Sequence, residues 1–180
     1  MTPNKKEKWL EFALKQLVKH GAESLKIMPL CESLGVTKGS FYHHFKNRSD
    51  FINSLMIHWY EKTTLAFIKQ ANTEENALER LNKLDQVIAT NDIEAEMHLR
   101  AWGLKEPSIV IHLEKIDDQR QSYLQSCFVE LGMDVHIAKD VAMIAYAQLL
   151  GLLQLHPKPS KEEILRLSGI ISRQFFTVLS

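Results

Sequence analysis

The chain has 180 residues, 45% of them hydrophobic and 24% charged, and its 22 basic and 22 acidic side chains cancel. This composition suits a folded globular protein and excludes a disordered or collagen-like one. Seven glycines and five prolines leave little turn material for an all-β fold, and two distant cysteines, Cys31 and Cys127, exclude a disulfide framework or zinc ribbon and are read as reduced thiols.

The opening MTPNKKEKW is charged and lacks the apolar core of a signal peptide. A first helix is predicted over 5–20, with Trp9, Phe12, Ala13, Leu17 and Val18 on one stripe. Gly21 is its expected stop. A short second helix is predicted over 29–34, with Pro29 in its first turn. Gly35 breaks the chain, and Thr37 is the expected N-cap of a third helix, 38 to 44 or 45. Asn47 followed by Asp50 reads as a capping box that opens a fourth helix over 48–71. Its expected apolar side holds Phe51, Leu55, Trp59, Phe67 and Ile68.

Five further helices are predicted over 75–89, 92–103, 107–131, 136–155 and 160–179. No strand-like alternation interrupts them. The longest run without a charged residue, 141–157, reaches only the lower limit for a membrane span. It contains Gln148, Gln154 and His156, and is read as a buried helix of a protein with no membrane partner.

The zero net charge hides an asymmetry. Residues 1–50 carry nine Lys or Arg against five acids, while the remainder has 13 basic and 17 acidic residues. A basic head on an acidic body points to a polyanion partner for the head. Within that head, Phe41, Tyr42, His43, His44 and Phe45 put five rings in succession. Two short helices joined through Gly35 have the shape of a helix-turn-helix, whose second helix enters the DNA major groove. Phe41 and Phe45, four residues apart, share the inward face. Thr37, Lys38, Gly39, Ser40, Tyr42 and His44 are then left to meet DNA: the threonine and tyrosine hydroxyls at phosphate, Lys38 at phosphate or a guanine edge, and Gly39 allowing close approach.

The segment Gly35-Val-Thr-Lys-Gly-Ser-Phe-Tyr-His-His-Phe-Lys-Asn-Arg-Ser-Asp-Phe resembles the DNA-binding signature of the tetracycline-repressor-like (TetR/AcrR) family. The resemblance implies an all-α fold of about nine helices. It places a three-helix DNA-binding domain with a helix-turn-helix at 1–50, and a helical ligand-binding and dimerisation domain at 51–180. By position, Tyr42, His44, Arg48 and Thr37 are expected at phosphate, and Lys38, Gly39, Ser40 and His43 at the bases. The family's usual threonine cap and Ile-Ala pair in helix two are replaced by Lys26, Leu30 and Cys31, and Lys26 is expected to contact phosphate by its charge instead. The run from Glu96 to Pro107, with Asp117, Asp118 and Arg120, is similar to a pattern in one branch of the family but names no ligand.

These readings lead to the expectation of a ligand-responsive regulator, a repressor, in a bacterial-type cytoplasm, bound as a homodimer to a palindromic double-stranded DNA operator. Dimerisation is expected through the last two helices, with stripes at Val141, Ile144, Ala145, Leu149 and Leu152 and at Ile164, Leu167, Ile171 and Phe175. Trp59, Met97, Trp102, Tyr123, Phe128, Met143 and Tyr146 are candidates for lining a small-molecule effector cavity, with plain core packing as the competing reading. Arg100 is expected to form a structural ion pair with Asp117 or Asp118. No metal or other cofactor is expected: His98, His112, His136 and Cys127 fall on different helices without ligand spacing. No Glu-x-x-His, HExxH, Walker or GxSxG motif supports an enzyme. The alternative reading is a helical protein-interaction module without sequence-specific DNA binding.

Overall fold

A computed structural model of the protein describes residues 5–177, and their side chains as far as residue 170. Every regular element among the described residues is helical. Helix α1 is Lys5–His20, α2 Ile27–Leu34, α3 Lys38–His44, α4 Arg48–Tyr60 and α5 Ala66–Ala71. They are followed by α6 Ala77–Thr90, α7 Ala95–Gly103, α8 Pro107–Glu130, α9 Val135–Gln154 and α10 Lys161–Thr177.

Local chemistry sets most of these boundaries. Gly21 ends α1 with φ of 75°, a conformation that costs glycine little. The chain then makes one 3-10 turn, Ala22–Leu25, so α2 starts at Ile27 rather than at 29. Lys26 is its N-cap residue and offers no side-chain hydrogen bond; the expected start at Pro29 overlooked this extra turn. The predicted fourth helix is interrupted by five residues of π geometry, Glu61–Leu65, between α4 and α5. Thr63 and Thr64 lie buried there, and the Arg120 guanidinium donates to both hydroxyls, at 3.2 and 2.9 Å. Later caps are Asn76, Asp134 and Ser160, each accepting from backbone N–H groups of the next turn. Ser160 also donates its own N–H to Glu163, closing a capping box. Residues 178 and 179 of the predicted last helix lie outside the described residues.

The chain divides into two compact units. One runs to Lys62 and includes Ile93–Lys115; the other takes Thr63–Asp92 and everything from Ile116. In the first, α1 packs on α4 and α7, and α2 packs on α3. Its core holds Ala13, Leu17, Leu30, Phe41, Phe45, Phe51, Leu55, Met56 and Leu99. The buried Glu96 of α7 accepts from the Trp59 indole N–H at 3.2 Å and pairs with Arg100 at 2.9 Å. The expected partners of Arg100 did not include this carboxylate, one turn away on its own helix.

In the second unit, α6 packs on α5 and α10, and α10 on α9. Cys127, Phe128, Met133, Ala138, Val141, Ala142, Ala77 and Leu81 form one apolar cluster. Helix α9 is long and apolar enough to cross a membrane by composition, yet only 28% of its apolar window is buried. Expected as a buried helix, it is buried along one face only. Ala138, Val141, Ala142, Tyr146 and Leu152 are inside, while Val135, Ile137, Met143 and Ile144 are exposed.

Candidate nucleic-acid interface

The turn between α2 and α3 is built by glycine. Gly35 has φ of 66°, its N–H bonds back to Glu32, and the Val36 N–H bonds to Cys31. These two bonds make a Schellman ending, in which the left-handed residue is normally glycine. Two residues on, the Thr37 hydroxyl accepts from the Ser40 N–H at 3.4 Å and starts α3. The Asn47 side chain accepts from the Asp50 N–H at 2.9 Å and starts α4.

Helix α3 has two chemically distinct faces. Phe41 and Phe45 are fully buried and meet Trp9 and Phe51 at ring separations of 5.1–6.1 Å, mostly edge to face. Such pairs are worth about 0.5–1.5 kcal/mol each beyond their burial. They hold a seven-residue helix that is too short to persist alone. The opposite face carries the exposed Thr37, Lys38, Gly39, Tyr42 and His43, with Ser40 and His44 half-buried beside them. A Cβ on Gly39 would meet only the Thr37 hydroxyl, at 3.6 Å. The chain's own packing therefore does not require glycine there, although alanine would suit the helix better by about 1 kcal/mol.

The surrounding charge is positive with two local exceptions. The Lys38 ammonium lies 5.8 Å from the Tyr42 ring centre, and that of Lys6 lies 5.1 Å from the Phe45 ring centre. Burial lowers the pKa of His44, and His43, Lys5 and Lys6 lower it further, so His44 is a neutral donor at pH 7. Lys5 and Lys6 thus extend the positive face from α1; only the summed charge of the head signalled them. The exceptions are Lys26, which is exposed and pairs with Glu23, and Arg48, which pairs with Glu106 at 2.7 Å. All nine candidate DNA contacts lie in the first compact unit.

Residues 10–55 match the model for bacterial regulatory proteins of the tetR family. The amino-terminal segment is a tetR-family domain. No curated protein is significantly similar to the chain in sequence. Solved structures share its fold at low identity. The TetR transcriptional regulator of Legionella pneumophila superposes with a TM-score of 0.81 at 17% identity, covering 97% of this chain and 99% of that one. Reduced NemR of E. coli gives 0.79 at 17% identity, with 94% and 97% coverage. A protein of Saccharomonospora viridis assigned as a transcriptional regulator, crystallised with choline, gives 0.75 at 15% identity, with 91% and 93% coverage. The all-helical architecture of tetR-family regulators therefore extends over nearly the whole chain.

Outside the tetR-family helix-turn-helix, the seven candidate cavity residues divide between the two units. Trp59, Met97 and Trp102 belong to the first unit, where Trp59 donates to Glu96 and the Arg48 guanidinium lies 6.0 Å from the Trp102 ring centre. Tyr123, Phe128, Met143 and Tyr146 belong to the second. Phe128 lies inside the apolar cluster, with Tyr123 packed against it. The Tyr123 hydroxyl donates to the Asn72 side chain at 2.7 Å, and its pKa is pushed up to about 12, chiefly by burial. Met143 is exposed on α9. Tyr146 is buried; its hydroxyl accepts from Arg120 at 3.0 Å and donates to Asp117 at 2.7 Å. Sequence reading missed the group around Arg120, since its members, Thr63, Thr64, Asp117 and Tyr146, come from three separated stretches.

Proposed function

We propose that the protein is a DNA-binding transcriptional regulator, a repressor that leaves its operator when a small-molecule effector binds. The observation that carries this reading is the two-faced α3. Buried Phe41 and Phe45 fix a short helix whose outer side offers hydroxyl, imidazole, ammonium and a bare glycine backbone. Gly39 supports close approach by something outside the chain, because nothing inside requires it. Thr37, Tyr42, His44, Arg48 and Lys26 are assigned to phosphate, and Lys38, Gly39, Ser40 and His43 to base edges.

In this reading residues 1–50 bind DNA, and 51–180 bind the effector and pair two copies in the cytoplasm. The exposed apolar residues Ile137, Met143 and Ile144 of α9 suit pairing with a second copy, while Val141 and Leu152 of the expected stripe serve this chain's own core. Ile171 and Phe175 lie beyond the described side chains. Two heads on a two-fold axis would reach successive major grooves about 34–36 Å apart on a palindromic site. An effector releases DNA only if it binds better to a state whose heads are wrongly spaced. A coupling of about 1–3 kcal/mol changes DNA affinity roughly 5–150-fold. The choline found on the Saccharomonospora viridis protein supports a small organic effector here, without fixing its identity.

Selection of bound duplexes from a random pool tests the reading, and failure to enrich any sequence favours the protein-interaction module. Two variants then sort the contacts. Tyr42→Phe is expected to weaken binding to all duplexes alike, since a phosphate contact carries no sequence information. Lys38→Ala is expected to cost about 1–3 kcal/mol on the selected site and to relax preference at one base pair. A uniform loss for Lys38→Ala would reassign it to phosphate.

A further inference from the structure

Arg48 is the first residue of α4 and one of the cations assigned to phosphate, yet the structure shows it holding an anion of its own chain. Its Nη1 donates to Oε2 of Glu106 at 2.7 Å, 58 residues away in sequence. The same guanidinium lies 6.0 Å from the Trp102 ring centre. We propose that Glu106 is a built-in competitor for DNA phosphate at Arg48, which holds down the affinity of the head for duplex. The proposal rests on reading Arg48 as a phosphate contact.

Glu106 is fixed in position rather than met by chance. Its other oxygen, Oε1, accepts from the Ser108 hydroxyl at 2.9 Å. It immediately precedes α8, and a carboxylate is favoured at a helix N-terminus. The Arg48 and Ser108 hydrogen bonds hold its carboxyl below the usual range, so it stays ionised at neutral pH. Meanwhile the Arg48 side chain keeps 45% of its surface exposed, which leaves a phosphate room to approach from solvent.

A phosphate that reaches the guanidinium meets the Glu106 carboxylate already there. Two anions on one guanidinium repel, so the phosphate either displaces the carboxylate or shares the fork at reduced strength. Displacement is feasible, because exposed ion pairs are weak while bidentate guanidinium–phosphate bonds are strong. It is also costly relative to a bare arginine. Counterion release gives a distinct signature. An arginine neutralised by a carboxylate adds little to the salt dependence of binding, whereas a bare one adds about 0.9 to the slope of log K against log salt.

The test is a salt titration of binding to a pool of random-sequence duplexes, with wild type, Glu106→Gln, Arg48→Ala and the double variant. Glu106→Gln keeps an acceptor for Ser108 and removes the charge. It is expected to bind up to about fivefold tighter per head at low salt, with a slope steeper by about 0.9 per head. In the Arg48→Ala background the same substitution is expected to change neither quantity. Unchanged or weaker binding of Glu106→Gln overturns the proposal. So does a gain that survives in the Arg48→Ala background, which would mark a general charge effect, and so does the absence of any Arg48→Ala effect on Glu106→Gln. If wild type ignores duplex even at low salt, the DNA-binding reading itself fails, a result distinct from these.

Discussion

Replacing Glu96 with alanine is expected to destabilise the first unit by about 3–5 kcal/mol, the range seen when one partner of a buried ion pair is removed. Glu96 is only 2% exposed and satisfies two groups at once. Its Oε1 holds Arg100, whose side chain is 19% exposed, and its Oε2 accepts from the indole N–H of the buried Trp59. Alanine would remove this carboxylate from both the guanidinium and the buried indole N–H at once. In a chain of this size the loss corresponds to a fall in Tm of roughly 10 °C. Glu96→Gln should lie between alanine and wild type, because an amide oxygen still accepts from Trp59 but no longer balances the charge. Thermal unfolding of the three proteins checks the order. A loss below about 1 kcal/mol for alanine would put the pair in the class of exposed ion pairs, whose worth is small.

This pair also marks the reach of sequence reasoning. Helix α3 and the N-caps of α3 and α4 were legible, because Thr37, Asn47 and the Phe41–Phe45 spacing act over three or four residues, the range in which a helix organises its own neighbours. Glu96, four residues before Arg100 on the same helix, was not picked out as its partner. The π turn was invisible in the pattern of apolar residues. The buried hydroxyls of Thr63 and Thr64 meet an arginine 56 or more residues away, and no local period encodes that meeting. Arg48 was read correctly as exposed and basic, but its engagement with Glu106 was not, for the same reason. Among the candidate cavity residues, aromatic and methionine identity could not separate Trp59, tied to a buried carboxylate, from Met143, exposed on α9. What the sequence displays is short-range geometry; the polar contacts that join distant helices become visible only with the fold.

Asp85 gives the second large effect, and its sign is opposite to that of Glu96. It lies half-buried on α6, in the second unit, and burial alone raises its pKa to about 7. Because the folded state holds a proton that the unfolded chain releases near pH 4, stability is greatest below that value. It then falls as pH rises towards 7, and levels off once Asp85 is ionised in both states. Asp85→Asn keeps the shape and removes the charge, so it should gain stability at pH 8, on the order of 2–4 kcal/mol once relaxation around the carboxylate is allowed for. At pH 4 the two proteins should be nearly equal. Denaturant titrations at both pH values check this. A gain of the same size at pH 4 and pH 8 would mean that shape or hydrogen bonding, not ionisation, separates the variants. A loss at pH 8 would show that the ionised carboxylate has a favourable partner in the folded chain. If the gain appears only at high pH, the second unit carries a carboxyl group that costs it stability at neutral pH.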